Sequence, residues 1–322
     1  MSSRPAGSSR CTRRSRRSRR TPLAEPSSAR VPALPLLAVG TTLVLWASAF
    51  VAIRHLADIF TPGALSLGRL LVGTLALGAV LLTRRWVAPT RGEWVRLVAI
   101  GVLWYGLYNV ALNAGERRVD AGTAALLIQL SPVLVALLAA AFLGERLTVW
   151  LGAGLVVAFG GVVLIATSTS GHEQRDPWGV ALCLVSAAAY AISVVLQKPL
   201  TVRLSAVQIT WTACAVGAVA CVPFTGDLVD GVGAASVADV WWLVYLGLFP
   251  TAIAFSTYAY ALTHMSAGSL SVTTYLVPPI TVLMSWAFLG EVPPALAYVG
   301  GVLCLAGVAL TRRRPPQSRV AV

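Results

Sequence analysis

Charged residues are scarce in this chain of 322 residues: 11% are Asp, Glu, Lys or Arg, whereas 57% are hydrophobic. That composition leaves too little polar surface for a water-soluble domain of this length, so the lipid bilayer is the expected solvent. Acidic residues are also missing from the middle third of every long apolar stretch. This absence disfavours a proton-coupled drug antiporter, in which a buried carboxylate carries the proton.

The sequence patterns of metal and catalytic chemistry are missing too. The five Cys residues show no C-x-x-C spacing, and the chain has neither His-Glu-x-x-His nor Gly-x-Ser-x-Gly. Asp227 and Asp230 have a spacing that suits a metal ion, but they lie in a predicted outer loop, where solubility explains them. We therefore expect no metal, no cofactor and no enzymatic activity. A membrane-embedded enzyme is the alternative from another functional class.

Ten apolar stretches approach the roughly 20 residues that a helix needs to cross a bilayer. They show no alternation of polar and apolar residues, which favours helices over the strands of a membrane barrel. The predicted fold class is therefore an all-α integral membrane protein with ten transmembrane helices. The predicted spans are 34–53, 63–83, 95–114, 121–142, 147–167, 178–197, 206–225, 240–260, 268–289 and 294–311.

A stretch of about forty residues occurs twice, 146 positions apart. Each copy ends in Ala-Phe-Leu-Gly-Glu, at 141–145 and again at 287–291. One register without a gap also pairs Ala121 with Ala267, Gly122 with Gly268, Pro132 with Pro278, Gly154 with Gly300 and Gly161 with Gly307. Because this register holds across two apolar spans and the turn between them, it predicts a duplicated membrane protein.

Arginine and lysine near the span ends predict the orientation of the chain. With the N-terminus inside, twenty basic residues fall on the cytoplasmic side and four on the opposite side, as the positive-inside rule requires. Both termini are therefore expected in the cytoplasm. Five spans per repeat is an odd number, so the two halves are predicted to be inverted relative to each other.

The predicted organisation has four parts. A disordered basic N-terminal tail covers residues 1–32, because its Arg-rich run is separated from the first span by a segment rich in Pro and Ser. Five-helix repeats cover residues 33–168 and 177–312, and a cytoplasmic tail covers 313–322. The charge of the tails and inner loops indicates topology and attraction to membrane lipid, and no nucleic-acid partner is expected.

Several of these features together resemble a known family. They are the segment Trp-Ala-Ser-Ala-Phe-Val-Ala-Ile-Arg at 46–54, Arg69 in span two, the duplicated pattern ending in Ala-Phe-Leu-Gly-Glu, and the Gly-rich fifth and tenth spans. Over roughly residues 33–312 the chain resembles the EamA-type transporters of the drug/metabolite transporter superfamily. The resemblance implies a basket of ten helices around a central cavity that opens alternately to each side. It implies transport of a small metabolite, such as an amino acid, nucleoside, sugar or drug-like solute.

Inverted repeats predict the same mechanism independently, because they place a substrate site near the bilayer midplane and make alternating access the default. A passive channel is a second alternative, since inverted repeats also build channels. Export is the preferred direction, but the residues fix neither direction, substrate, coupling ion nor oligomeric state. A homodimer is compatible with the sequence. The use of 24 Arg and one Lys suggests a GC-rich bacterial genome and a plasma-membrane location.

Arg69 is the charged residue that lies clearly inside a predicted span. An intramembrane Arg is a functional candidate with an anionic substrate group as its natural partner. Two other roles stay open: the side chain could extend to the outer headgroups, or it could bind kinked backbone carbonyls. Polar and aromatic residues deep in other spans are the further candidates for the cavity wall, with helix packing as the alternative: Trp46, Tyr105, Tyr108, Asn109, Gln129, Tyr190, Tyr258 and Tyr275.

The duplicated motif supplies candidates for gating. Pro132 and Pro278 lie in the middle of predicted spans four and nine, where proline removes a backbone hydrogen bond and forms either a hinge or a static kink. Glu145 and Glu291 follow Leu-Gly at helix ends. There the carboxylate is placed to meet the N-terminal dipole of the next helix, and its symmetric position also suits closure of one cavity mouth.

Overall fold

The computed structural model of the protein describes residues 33–118, 127–169, 176–289 and 295–311. Within these ranges the chain forms helices joined by short turns, and no β-strand. The helices are α1 (Ala33–Leu56), α2 (Pro62–Leu81), α3 (Arg91–Ile100), α4 (Asn109–Glu116), α5 (Ser131–Leu143), α6 (Val149–Thr169), α7 (Pro177–Leu200), α8 (Ala206–Ala220), α9 (Thr225–Ala234), α10 (Val237–Leu246), α11 (Ala254–His264), α12 (Ala267–Thr273), α13 (Val277–Leu289) and α14 (Ala295–Thr311).

Four short segments of other helical types join some of these helices. Two are π-helical: the first π-segment is Gly101–Tyr108, between α3 and α4, and the second π-segment is Gly247–Ile253, between α10 and α11. Two are 3-10 helices, Val222–Phe224 before α9 and Thr274–Leu276 before α13. Both π-segments begin at glycines that are 146 positions apart.

Six helical stretches in the described part of the chain are long and apolar enough to cross a membrane, so the protein is a multi-pass membrane protein. They are Ala33–Ile53, Pro62–Leu81, Arg91–Gly115, Pro177–Leu200, Val237–His264 and Ala267–Met284. The pair Ala206–Ala220 and Val222–Ala234 adds a seventh if its two bent parts form one span. Three shorter apolar helices are Ser131–Leu143, Val149–Ile165 and Tyr298–Thr311.

The prediction for span seven was wrong at its C-terminal end. The helix stops at Ala220 and the chain bends by 57° at Cys221, just before Pro223. The acidic segment after it, predicted to be an outer loop, instead forms α9 and includes Asp227 and Asp230. The bend has a packing reason: a Cβ atom on Gly63 would lie 2.2 Å from the Phe224 ring, so the 3-10 turn sits directly on the start of α2.

Helices α3 and α10 begin with the same device. Thr90 caps α3 in a capping box with Glu93, and Ser236 caps α10 in a capping box with Asp239. The two caps are 146 positions apart. Each acidic residue also bonds to a base on another part of the chain. Glu93 accepts from Nε of Arg203, in the turn before α8, at 2.9 Å, and Asp239 Oδ1 lies 2.9 Å from Nε2 of His55, in the last turn of α1. The Glu93 carboxylate raises the pKa of Arg203.

Helices α6 and α14 pack through glycine. A Cβ atom on Gly154 would lie 2.6 Å from the Gly307 carbonyl oxygen, and one on Gly161 would lie 2.5 Å from that of Gly300. These glycines therefore allow a backbone approach that alanine would block. Gly154 precedes Gly161, whereas its partner Gly307 follows Gly300, so the two helices run antiparallel.

Candidate functional site

Two helix crossings in the middle of the molecule share one backbone geometry. In one, the first π-segment crosses α8: a Cβ atom on Gly101 would lie 2.7 Å from the Ala213 carbonyl oxygen and 2.5 Å from Val216 Cβ. In the other, the second π-segment crosses α2: a Cβ atom on Gly247 would lie 2.7 Å from the Arg69 carbonyl oxygen and 2.5 Å from Val72 Cβ. Because these distances agree, the two crossings have the same backbone geometry, as expected for equivalent parts of a sequence repeat.

The glycines of α8 and α2 that contact the π-segments are also at equivalent positions. Gly217 of α8 lies against the Gly101 carbonyl oxygen and Tyr105, and Gly73 of α2 lies against the Gly247 carbonyl oxygen and Thr251. Between α2 and α8 the equivalent positions are 144 residues apart, and between the π-segments they are 146 apart. Under this correspondence Arg69 pairs with Ala213, so the side chains of the two crossings differ even though their backbones agree.

Arg69 fills the second crossing with a buried charge. Its side chain turns inward and is 5% exposed, which rules out the predicted alternative of extension to the headgroups in this conformation. Nε donates to Thr251 Oγ1 at 3.0 Å, and Nη1 donates to Asn109 Oδ1 at 3.2 Å. Among the residues that the structure describes, no carboxylate lies within ion-pairing distance of this guanidinium.

The two acceptors of Arg69 are oriented by the π-segments. Thr251 Oγ1 donates to the carbonyl oxygen of Leu246 at 2.8 Å, and Asn109 Nδ2 donates to those of Trp104 at 3.2 Å and Tyr105 at 2.9 Å. Each side chain thus bonds to the carbonyl five residues earlier, the spacing of a π-turn. Such turns are rare and occur frequently at functional sites.

An aromatic cluster lies beside this polar group and centres on Trp104. The ring centroid of Trp104 is 4.9 Å from that of Tyr190, 5.0 Å from Phe255, 5.7 Å from Tyr258 and 6.4 Å from Trp46. Most of these pairs are edge-to-face, the arrangement that aromatic quadrupoles favour. The Tyr190 hydroxyl donates to the Tyr258 hydroxyl at 2.9 Å and places one polar pair in the cluster.

Five of the candidates from the sequence belong to this cluster. Trp46 is partly buried and its ring centroid is 5.2 Å from that of Tyr258. Tyr105 lies 4.7 Å from Phe255, and the partly buried Tyr108 lies 6.2 Å from Tyr190. Since Asn109 bonds to the carbonyls of both Trp104 and Tyr105, the aromatic cluster and the Arg69 group are directly connected.

Gln129 and Tyr275 do not belong to the Trp104 cluster or to the Arg69 group, contrary to the sequence prediction. Gln129 Nε2 donates to the Thr274 carbonyl oxygen at 3.1 Å. Tyr275 is buried in a separate cluster with residues of α6 and α14, and its ring centroid lies 6.4 Å from that of Phe159. Gln129 thus joins the segment before α5 to the segment before α13, whereas Tyr275 packs against α6 and α14.

The two prolines lie next to breaks in the α-helical pattern. Each lies in the second position of a helix that begins beside it: Pro132 in α5, which starts at Ser131, and Pro278 in α13, which starts at Val277 after a 3-10 turn. A proline in the first helical turn loses no hydrogen bond, because the N–H groups there have no partner within the helix. Pro278 still lies inside the single helical stretch Ala267–Met284, in agreement with its predicted place within span nine. Its role as a hinge or a static kink stays a prediction.

Glu145 caps a helix, but not the one that follows it. Its Oε1 accepts from the Ala267 N–H at 2.7 Å and its Oε2 from the Gly268 N–H at 3.0 Å, at the N-terminus of α12. Lys198 Nζ donates to the carbonyl oxygens of Leu262 and Met265 at the end of α11. The turn between α11 and α12 is thus held by a carboxylate at its amides and an ammonium at its carbonyls. Glu291 lies outside the described residues.

The sequence matches a known transporter family in two blocks, residues 34–167 and 177–313, which the family model describes as the EamA-like transporter family. The chain belongs to this family. The resemblance inferred from the sequence motifs is therefore confirmed, and with it the membrane and transport character of the protein.

Two relatives and one solved structure are similar to this EamA-like protein. It is 41% identical to a probable terminal-alkyne amino-acid exporter of Streptantibioticus cattleyicolor, over 85% of this chain and 91% of the relative. It is 31% identical to the uncharacterized transporter YdfC of Bacillus subtilis, over 83% of this chain and 87% of the relative. A solved crystal structure shares the fold with a TM-score of 0.72 at 20% identity, covering 87% of this chain and 96% of the other.

Three residues of the candidate site were not predicted from the sequence. Trp104 lies at the centre of the aromatic cluster, Phe255 packs against it, and Thr251 accepts from Arg69. The available signal was the repeat itself, because Thr251 is equivalent to Tyr105 and Phe255 to Asn109. In the described part of the chain, no group of three or more His, Cys, Asp or Glu is placed to hold a metal ion.

Proposed function

We propose that this EamA-like protein exports a small amino-acid-type solute across the plasma membrane by alternating access between two inverted five-helix halves. Ten spans, cytoplasmic termini and the absence of enzymatic activity are parts of this proposal. The observation that carries it is the pair of repeat-related crossings between the π-segments and helices α2 and α8. Each crossing joins one half of the chain to the other, so movement of the halves changes both together.

The antiparallel glycine contact of α6 and α14 supports the inversion. Position 154 of the first half meets position 307 of the second, and position 161 meets position 300. Under the repeat of 146, each contact is the image of the other. A twofold axis perpendicular to antiparallel helices produces this pattern, and such an axis in the membrane plane relates inverted repeats.

The bond from Glu145 to α12 supports a gating role at the cytoplasmic end. It joins the first half to the second through two charge-assisted hydrogen bonds. The proposed direction and solute class draw on the 41% identical relative, whose name describes an amino-acid exporter. The site can serve an amino acid because a guanidinium and an aromatic cluster lie side by side.

The test is counterflow in proteoliposomes that contain the purified full chain. Vesicles loaded with an unlabelled amino acid should accumulate its labelled form transiently, and the initial rate should saturate with external concentration. Empty vesicles supply the control. A rate that rises linearly without counterflow would point to a passive channel, and the absence of flux for every amino acid tried would reject amino-acid transport.

A further inference from the structure

We propose that Arg69, held by Asn109 and Thr251, is the recognition site for the carboxylate of the transported solute, and that the Trp104 cluster receives the rest of that solute. The proposal rests on the transport function above and names its substrate class. That class is a small amino acid with a compact apolar side chain.

The first argument is the unbalanced charge. Burying a guanidinium costs several kcal/mol unless an anion compensates it. Arg69 is 5% exposed, and the two bonds described above run to a neutral hydroxyl and a neutral amide oxygen. A carboxylate would form an ion pair with the guanidinium, in which both the donor and the acceptor of each hydrogen bond carry charge. The site is therefore most stable when it is occupied by an anion.

The second argument is asymmetry. The crossing of α8 with the first π-segment has Ala213 where the other crossing has Arg69, and it packs with the same backbone distances. At the positions of Thr251 and Asn109 it carries Tyr105 and Phe255, whose rings contact each other. The crossing thus forms without any charge. Since the fold does not require an arginine at this point, the polar group at the second crossing is explained by a ligand.

The third argument is the neighbourhood. Asn109 contacts Arg69 through its side-chain oxygen and the carbonyls of Trp104 and Tyr105 through its nitrogen. The side chains of Tyr105 and Tyr108 also interact electrostatically with Arg69, so a solute carboxylate on Arg69 would lie close to the aromatic cluster. Aromatic faces stabilise a nearby ammonium group through cation–π attraction and also accept an apolar side chain. Carboxylate, ammonium and a compact apolar group together define an amino acid.

The experiment measures binding, separately from flux, through the tryptophan fluorescence and thermal unfolding of the purified full chain. The probes are L-propargylglycine, its decarboxylated analogue homopropargylamine, and its deaminated analogue pentynoic acid. The amino acid should bind, the acid should bind more weakly and compete with it, and the amine should not compete. Competition by the amine as strong as that by the acid would overturn the carboxylate assignment, as would the failure of both carboxylate probes to bind.

The decisive variant is Thr251→Asp, which places a carboxylate beside Arg69 Nε. It satisfies the guanidinium internally, so the protein should unfold at least as high in temperature as wild type but bind L-propargylglycine about tenfold more weakly or worse. Arg69→Lys should weaken binding similarly, because an ammonium lacks the bidentate fork of Arg. If Arg69 were purely structural, Thr251→Asp would retain wild-type affinity, and that result would reject the proposal.

Arg117→Gln is the matched control. Arg117 Nη2 donates to the carbonyl oxygens of Ala57 and Phe60 at 2.7 and 2.9 Å, outside the crossing. This variant should lose some thermal stability and keep its affinity for the probes; an equal loss of affinity in it would overturn the assignment to Arg69. Failure of the transport function is distinct, because wild-type protein would then bind the carboxylate probes without showing counterflow.

Discussion

The two crossings of a π-segment with a neighbouring helix, α8 with Gly101–Tyr108 and α2 with Gly247–Ile253, have the same backbone and different side chains. Glycines at equivalent positions set the approach in both, and the distances to the opposing carbonyl oxygens agree. One crossing holds aromatic rings, and the other holds Arg69 with two neutral acceptors.

This difference distinguishes the residues that the fold requires from those that are available to bind a ligand. The features common to both crossings, which are glycine, valine and the π-turn, are required by the geometry of two similar halves. The features found at one crossing are not required by that geometry. Substitutions of the common features should therefore have equal effects at the two crossings, whereas substitutions of the unequal features should not.

The largest effects should come from filling the shared glycine contacts. Gly101→Ala and Gly247→Ala each place a methyl group within 2.7 Å of a backbone oxygen, so each should destabilise the protein by about 1–3 kcal/mol through overpacking. Thermal or denaturant unfolding in detergent measures the loss. Gly160→Ala is the control, because no atom lies within 4 Å of its added Cβ. A large difference between the two crossing variants would break the symmetry argument.

The sequence predicts this scaffold well and the side chains at the crossings less well. The repeat and the helical class follow from composition and from one register of identical residues, and the family follows from the resemblance of several motifs to a known family. Trp104 and Thr251 were missed because their roles depend on contacts with Phe255 and Arg69, which are distant in the sequence and which local spacing does not indicate. The partner of Glu145 was also missed, because its carboxylate bonds to α12, more than a hundred residues away, and local dipole arguments indicate only the next helix.

The second effect concerns the unequal pair Thr251 and Tyr105. Thr251→Val removes the acceptor of Arg69 Nε in a buried site, and a buried donor left unpaired costs about 1–3 kcal/mol. Tyr105→Phe at the equivalent position keeps the ring contact with Phe255 and should cost less. Unfolding of both variants under one condition gives the comparison. Equal losses of unfolding free energy in the two variants would show that the polar contacts of the second crossing contribute no more to stability than the aromatic contacts of the first.

A smaller effect is expected at the bond between the halves. Glu145→Gln keeps an acceptor but removes the charge that faces the Ala267 and Gly268 N–H groups, so we expect a loss of about 1 kcal/mol. If the bond closes the cytoplasmic mouth, the open state should become about fivefold more populated. A cysteine at Met265 in a cysteine-free background should then react faster from the cytoplasmic side.

The matched variant is Glu291→Gln, at the position equivalent in the repeat. It should not increase labelling at Met265→Cys, because an inverted second half would place its own bond at the outer face. Faster labelling in both variants would contradict the assignment of the two carboxylates to opposite mouths. Unchanged labelling in Glu145→Gln would remove this bond from the gate.

The smallest effect is expected at the two capping boxes, where the equivalent carboxylates of Glu93 and Asp239 meet different bases. Glu93 bonds to Arg203 through two nitrogens, whereas Asp239 bonds to His55 through one. The His55 side chain is 50% exposed and that of Arg203 is 42% exposed, so water screens both pairs. His55→Arg should make the pair at Asp239 resemble the pair at Glu93 and stabilise the protein by less than the changes described above. The gain should shrink at high salt, because exposed ion pairs are screened. Arg203→His should destabilise the protein. Unfolding at low and high ionic strength measures both changes, and a gain from His55→Arg that persists in high salt would show that packing of the new side chain, not its charge, is responsible.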